Sequence, residues 1–207
     1  MSLNAVKENK KVRGRPKTIV YDTTLDIAMR AYWSKGIDGM SVNEICRLAN
    51  VSKPSLYREF GNEDKLLARV FQHYALGFHK NLKSLLNKNR NFSDSLSELI
   101  DFSSSTGEKR IYPKGCLGVK GFQSFDRLGT DSKIALGALR SGTIQIFEEW
   151  VFESRNFITL GSDWTNNTIS EYIFSIFANA MRMSDEGESP DRIKKIMSLA
   201  LSPLVDK

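Results

Sequence analysis

The chain has 207 residues, with 30 Lys and Arg against 24 Asp and Glu, a formal net charge of +6. Hydrophobic content of 41% and charged content of 26% are those of an ordinary globular protein of one or two domains with a sizeable core. They exclude a collagen-like fibre and a chain disordered throughout, and the most apolar stretch, Tyr172 to Ala178, falls far short of the roughly 20 residues that span a bilayer.

Residues 1–20 have no apolar periodicity. Six basic residues there (Lys7, Lys10, Lys11, Arg13, Arg15 and Lys17) face one acid, Glu8, so a flexible basic arm is expected. Residues 1–62 hold eleven Lys/Arg and six Asp/Glu, a net of +5; residues 63–207 hold nineteen and eighteen, a net of +1. Such asymmetry points to a polyanion at that end, nucleic acid or an acidic membrane surface, unless the arm is simply a solvated tail. No apolar leader follows the first residues, and Cys46 and Cys116 are too few for a disulfide framework, so a cytoplasmic location is expected.

A first helix is expected from a Thr23 cap, with Leu25, Ala28, Met29, Tyr32 and Trp33 on one face, ending at Gly36. Ser41 and Glu44 form a capping box that opens a two-turn helix with Val42, Ile45, Cys46 and Ala49 inward. Asn50 tolerates the left-handed conformation that ends it. Ser52 then caps a third short helix, with Pro54 in its first turn and Leu56 and Phe60 inward. Beyond Gly61-Asn62 every segment reads helical, over about 63–87, 94–105, 115–126, 131–157, 164–184 and 190–203. The fold class is therefore all-α.

Two short capped helices around Asn50-Val51-Ser52 have the form of a helix-turn-helix, though a helical hairpin without a ligand has the same pattern. Asn50 supplies the turn, Val51 an apolar plug, and Cys46 and Ala49 small residues where the helices approach. Lys53, Ser55, Tyr57 and Arg58 give the second helix a polar outer face. In a major groove a Lys or Arg reads guanine, while Ser and Tyr hydroxyls more often hold phosphate. Arg13-Gly14-Arg15-Pro16 has the form of a minor-groove hook, with nonspecific phosphate tethering as the alternative.

The stretch from Asp22 to Leu67, with Val51-Ser52 and Leu56-Tyr57-Arg58-Glu59-Phe60-Gly61-Asn62, resembles the N-terminal domain of the tetracycline-repressor (TetR/AcrR-type) regulators. Tyr112-Pro113-Lys114-Gly115-Cys116-Leu117 is a weaker similarity to the larger domain of those proteins. The resemblance implies an arm (1–20), a helix-turn-helix domain (21–62) and a helical ligand-binding and dimerisation domain (63–207). It assigns DNA contact to Asn43, Lys53, Pro54, Ser55, Tyr57 and Arg58. The family often has a basic residue just after the Gly-Asn break; Glu63 stands there, which weakens that phosphate contact or moves it to Lys65.

In the larger region, the helix Ile169–Met183 is apolar nearly all round and needs a partner on two sides. The resemblance implies that one partner is the same helix pair of a second subunit, in a four-helix interface with the stripe Ile193, Ile196, Met197, Ala200, Leu201 and Leu204; a buried central helix in a monomer is the alternative. Phe102, Cys116, Phe122, Phe125 and Trp150 are candidate walls of a cavity for an unidentified small molecule, with plain core as the alternative. Cys116, expected at a helix start near lysines, is a candidate reactive thiol or a buried packing residue. His73 and His79 are six apart, the wrong spacing for one ligand face, and no Cys/His cluster, phosphate loop or Ser-His-Asp set appears. No catalytic residue, metal or cofactor is expected. The expected function is a transcriptional repressor that binds a palindromic DNA operator as a homodimer and leaves it on binding an inducer. A constitutive DNA-binding protein, an activator of the same fold, and a helical lipid-binding protein or enzyme are the alternatives.

Overall fold

A computed structural model of the chain describes residues 21–86, 91–105, 113 and 115–205. The expected arm with Arg13 and Arg15 lies outside the described residues, as do Lys109, Arg110, Tyr112 and Lys114. The described residues are helical, without strands: α1 (Tyr21–Lys35), α2 (Val42–Ala49), α3 (Lys53–Phe60), α4 (Glu63–Leu85), α5 (Phe92–Ser104), α6 (Leu117–Gln123), α7 (Thr130–Glu153), α8 (Asn166–Asp185) and α9 (Pro190–Leu201). No described helix is long and apolar enough to cross a membrane.

Helices α1–α3 form a small N-terminal head closed by the start of α4. The long α4 then runs on into a bundle, lying along α7, which in turn packs on α8. Leu66, Val70 and Phe71 on α4 are fully buried, and the apolar interior is continuous from the head into the bundle. Close approach of α4 and α7 depends on Gly142, where a Cβ would stand 2.7 Å from His79 Cε1. His79 Nε2 lies 3.1 Å from Thr143 Oγ1 and 3.2 Å from the Leu139 carbonyl, and burial pulls its pKa down, favouring the neutral ring.

Three expected boundaries move, each for a tertiary reason. Thr23 is not the cap of α1, which is already helical at Tyr21; the Tyr21 ring stacks on Phe60 at 4.9 Å and holds the extra turn against α3. The helix expected over 115–126 is only Leu117–Gln123 followed by a 3₁₀ turn, Phe125–Arg127. Gly115 is left-handed and Cys116 extended at its start; at its end the Ser124 hydroxyl is drawn off to Asp38 Oδ2 at 2.9 Å. The helix expected over 131–157 stops at Glu153, because Arg155 donates to the carbonyls of Leu160 and Gly161 and pulls the chain out of line.

The start of α7 has an unusual cap. Its N-cap residue is Gly129, which has no side chain to accept the first free N–H groups. Asp64 of α4 accepts them instead, from Asp131 N at 2.9 Å and Ser132 N at 3.0 Å, while the Ser132 hydroxyl donates to the Asp64 carbonyl at 2.9 Å. Any Cβ at position 129 would stand 2.3 Å from Asp64 Cγ, so the arrangement requires glycine. Burial pushes the Asp64 carboxyl up, but the hydrogen bonds from Ser132 and Asp131 and the charge of Lys133 outweigh it and hold the group below its ordinary value.

Asp64→Ala should therefore destabilise the protein by about 1–2 kcal/mol, the usual cost of losing a cap, read from urea unfolding. Because the folded-state pKa is depressed, the Asp64 contribution is full above the ordinary value of 3.8 and is lost as pH falls through the lower folded value. Wild type and variant should converge in stability under those acid conditions; a constant gap down to the lowest pH would mean that the carboxylate charge is not what caps α7.

Candidate nucleic-acid interface and internal cavity

The α2–turn–α3 unit is built by local chemistry. Ser41 and Glu44 make both halves of the capping box: the Glu44 N–H donates to Ser41 Oγ at 3.3 Å, and the Ser41 N–H donates to Glu44 Oε2 at 3.2 Å. Asn50 ends α2 in the left-handed region at φ 54°, the one non-glycine residue with positive φ among those described. The chain reverses there, and the Val51 N–H donates to Cys46 O at 3.0 Å. Ser52 Oγ then accepts from Ser55 N at 3.2 Å to open α3.

That turn sets which side of α3 faces out. Leu56 and Phe60 are buried, whereas Lys53, Pro54 and Arg58 are exposed and Ser55 and Tyr57 half-buried. The outer side chains touch one another. Lys53 Nζ lies 5.6 Å from the Tyr57 ring centroid, and Arg58 Nη2 donates to Ser55 Oγ at 3.3 Å. Neither Lys53 nor Arg58 is ion-paired with a carboxylate among the described residues. Asn43 is exposed on α2, and Lys65 is exposed on the first turn of α4, where its N–H donates to Asn62 Oδ1 at 2.8 Å.

The bundle holds a cavity of about 520 Å³ between α6, α7 and α8, with Phe78 of α4 in its wall. Cys116 and Phe122 line it. Phe102 instead lines a second cavity of about 280 Å³ beside Trp33 and Tyr74, which reaches α1. Phe125 and Trp150 line neither. Trp150 is buried and stacks on Phe92 at 4.7 Å; Phe125 lies at the surface against Phe122 and Lys133. The five candidate wall residues are thus not brought to one place, because aromatic type alone does not tell core from cavity.

Cys116 is 8% exposed, with Sγ 3.2 Å from the Tyr74 hydroxyl. Burial pushes the thiol pKa up and outweighs the hydrogen bonds from Tyr74, Val119 and Gly118. The thiolate expected from its place at a helix start is therefore not favoured. Cys46 is likewise buried, with its thiol raised by burial.

Residues 25–70 match the family of bacterial regulatory proteins described as the tetR family. The chain carries a tetR-family head. The HTH-type transcriptional repressor ComR of Escherichia coli (strain K12) is 27% identical over 117 residues, 56% of this chain and 56% of ComR. The chain therefore spans just over half the length of that relative. Among solved structures, the reduced form of E. coli NemR has a TM-score of 0.79 at 16% identity, covering 90% of this chain and 97% of NemR. A cysteine-substituted TetR family regulator CifR, complexed with a 26-bp double-strand operator DNA, has a TM-score of 0.74 at 20% identity, covering 92% of this chain and 100% of CifR. At these identities the structures show the fold alone, over the 90% and 92% of this chain that they cover.

The polar residues beside the cavity were not singled out by sequence. Gln123, Arg140, Asn179 and Arg182 line it together with the aromatic rings. A signal existed for one of them: Arg140 interrupts an otherwise uncharged run from Ile134 to Gln145. Asp64 and Asp38 gave no signal, since their partners lie 67, 68 and 86 positions away along the chain.

The tetR-family head depends on Asn50. Asn50→Val should cost about 1–2 kcal/mol, the left-handed penalty for a residue with a branched Cβ, whereas Asn50→Gly should be close to neutral. Urea unfolding of the three proteins checks this, and equal stability of the valine and glycine variants would refute it.

Proposed function

We propose that the protein is a transcriptional repressor that works in the cytoplasm, binds a palindromic operator as a homodimer, and is released by a small molecule. The observation that carries this reading is the outer face of α3. Lys53 and Arg58, without carboxylate partners among the described residues, stand with Tyr57 and Ser55 on a short rigid helix backed by Leu56 and Phe60. In a major groove the cations read guanine and the hydroxyls hold phosphate. Pro54 lies at the entering end of the helix, Asn43 and Lys65 flank it as phosphate contacts, and Arg13 and Arg15 add contacts from the arm. ComR is a repressor and CifR is held on an operator, and both support a duplex-DNA partner; these relatives are regulators rather than enzymes.

The dimer reading rests on α8 and α9. Ile193, Met197, Leu201 and Leu204 serve this chain's own core, but Leu199 is 77% exposed and Ile196 and Tyr172 are exposed beside it. Tyr172 donates to the Ala200 carbonyl and binds the two helices into one face. A second copy covering that face by two-fold symmetry places two heads on one side of the dimer, as a palindrome requires.

Release runs through α6. This helix is a wall of the larger cavity and is tied through Lys120 to Asp185 at the end of α8 and, just beyond its end, through Ser124 and Arg127 to Asp38 in the α1–α2 loop. The hydrogen bond from Ser124 is the main cause that holds the Asp38 carboxyl below its ordinary value. A ligand that displaces α6 thus strains a contact to the head, and differential affinity for the two head positions is what lowers DNA affinity.

Replacing Lys53 and Arg58 together with Ala should reduce specific operator affinity at least roughly 30-fold, at about 1–3 kcal/mol per contact, while leaving the thermal unfolding midpoint near wild type. Mobility shifts on duplexes selected from a random pool measure it; retained affinity and sequence preference would overturn the assignment to α3. Leu199→Glu should convert the dimer to monomer in sedimentation velocity and cost operator binding with it. A dimer that survives this change is held elsewhere.

A further inference from the structure

The cavity between α6, α7 and α8 has an apolar body and a polar edge of one sign. Phe78, Val119, Phe122, Leu139, Phe174 and Phe177 make the body; among the described residues, the charged groups that line it are the guanidiniums of Arg140 and Arg182, without a carboxylate. Arg182 is already neutralised, because its Nη1 meets both oxygens of Glu186 and its Nη2 donates to Asn179 Oδ1 at 2.9 Å. Thr143 is also committed. Its hydroxyl donates to the Leu139 carbonyl at 2.8 Å and lies against His79.

Arg140 is different. Its guanidinium rests over the Phe174 ring, 5.2 Å from the centroid, and it is not ion-paired with any carboxylate among the described residues. The guanidinium's N–H donors lie in its own plane, and that planar fork matches a carboxylate in two parallel hydrogen bonds. A cation entering this cavity would meet the Arg140 guanidinium and no carboxylate among the described lining residues. A volume of about 520 Å³ suits a molecule of small-metabolite or drug size.

On the reading of this cavity as the effector site, we propose that it takes an amphipathic organic anion: one carboxylate on an aromatic or alkyl body. Arg140 receives the carboxylate, and the rings of α6 and α8 with Phe78 enclose the body. Specificity then divides cleanly, since the rings select for apolar surface and Arg140 selects for the anionic end.

The test is isothermal titration of the full chain with 4-phenylbutyrate and with 4-phenylbutan-1-ol, which share a body and differ in the charged end. Wild type should bind the acid at least about tenfold more tightly than the alcohol, the factor expected of a charge-assisted hydrogen-bonded pair. Arg140→Gln should bring the two within about twofold by weakening the acid alone, and Arg140→Lys, which keeps the charge but not the fork, should fall between. Val119→Trp, which fills the cavity, should weaken both ligands alike. Each variant's thermal unfolding midpoint is measured in parallel. Equal or tighter binding of the alcohol to wild type, or an acid preference that survives Arg140→Gln, overturns the proposal. If both ligands bind wild type equally and both are lost in Val119→Trp, the effector cavity stands and the anion assignment falls; if neither binds wild type, both fall.

Discussion

The carboxylate of Asp64 closes the start of a helix to which it does not belong. The first N–H groups of α7 have no acceptor in Gly129, and buried donors left without one are costly. Asp64 supplies the acceptor from the first turn of α4, so the beginnings of the two longest helices are held together at one point. From there α4 and α7 run alongside each other, and α6 and α8 pack where that pairing puts them. The head is attached at the same place, because Asn62, two residues before Asp64, ends the α3–α4 break and caps α4. The placement of α3 relative to the bundle therefore descends from a contact made four residues beyond the end of α3.

Local chemistry was the legible part of the molecule. The capping box at Ser41 and Glu44, the left-handed Asn50, the Ser52 cap and the inward Leu56 and Phe60 all follow from rules that act within four residues, and each is in place. Long-range partnerships were not legible. The first turn of α1 is held by a ring from α3, α6 is cut short by Asp38, and α7 by carbonyls beyond its own end; no periodicity encodes such partners. The cavity shows the same limit. Phe122 and Trp150 are equivalent letters in a sequence, yet one faces empty space and the other is stacked in the core. Cys116 illustrates a competition of terms: a helix start favours the thiolate, and burial opposes it more strongly.

The two halves of the chain divide the chemistry by charge. The head keeps Lys53 and Arg58 outward and without carboxylate partners among the described residues, whereas Arg30 and Lys35 are paired with Asp26 and Glu44. In the bundle several charges are paired with one another, as Lys120 is with Asp185 and Arg182 with Glu186, whereas Arg140 beside the cavity is not ion-paired with a carboxylate among the described residues. A net charge concentrated in the first 62 residues is thus compatible with a second, internal site for an anion.

The position of Asp64 also bears on how such proteins exchange parts. A recombination joint at residues 62/63 looks natural from the helix pattern, and it would leave Asp64 with the bundle, together with Gly129. The graft would keep that cap intact. It would, however, pair the bundle's Ser124 and Arg127 with whatever residue the new head carries in place of Asp38. Chimeras made at that joint should fold readily yet differ in whether the bundle is able to signal to the head, so that stability and responsiveness would be inherited from different parents.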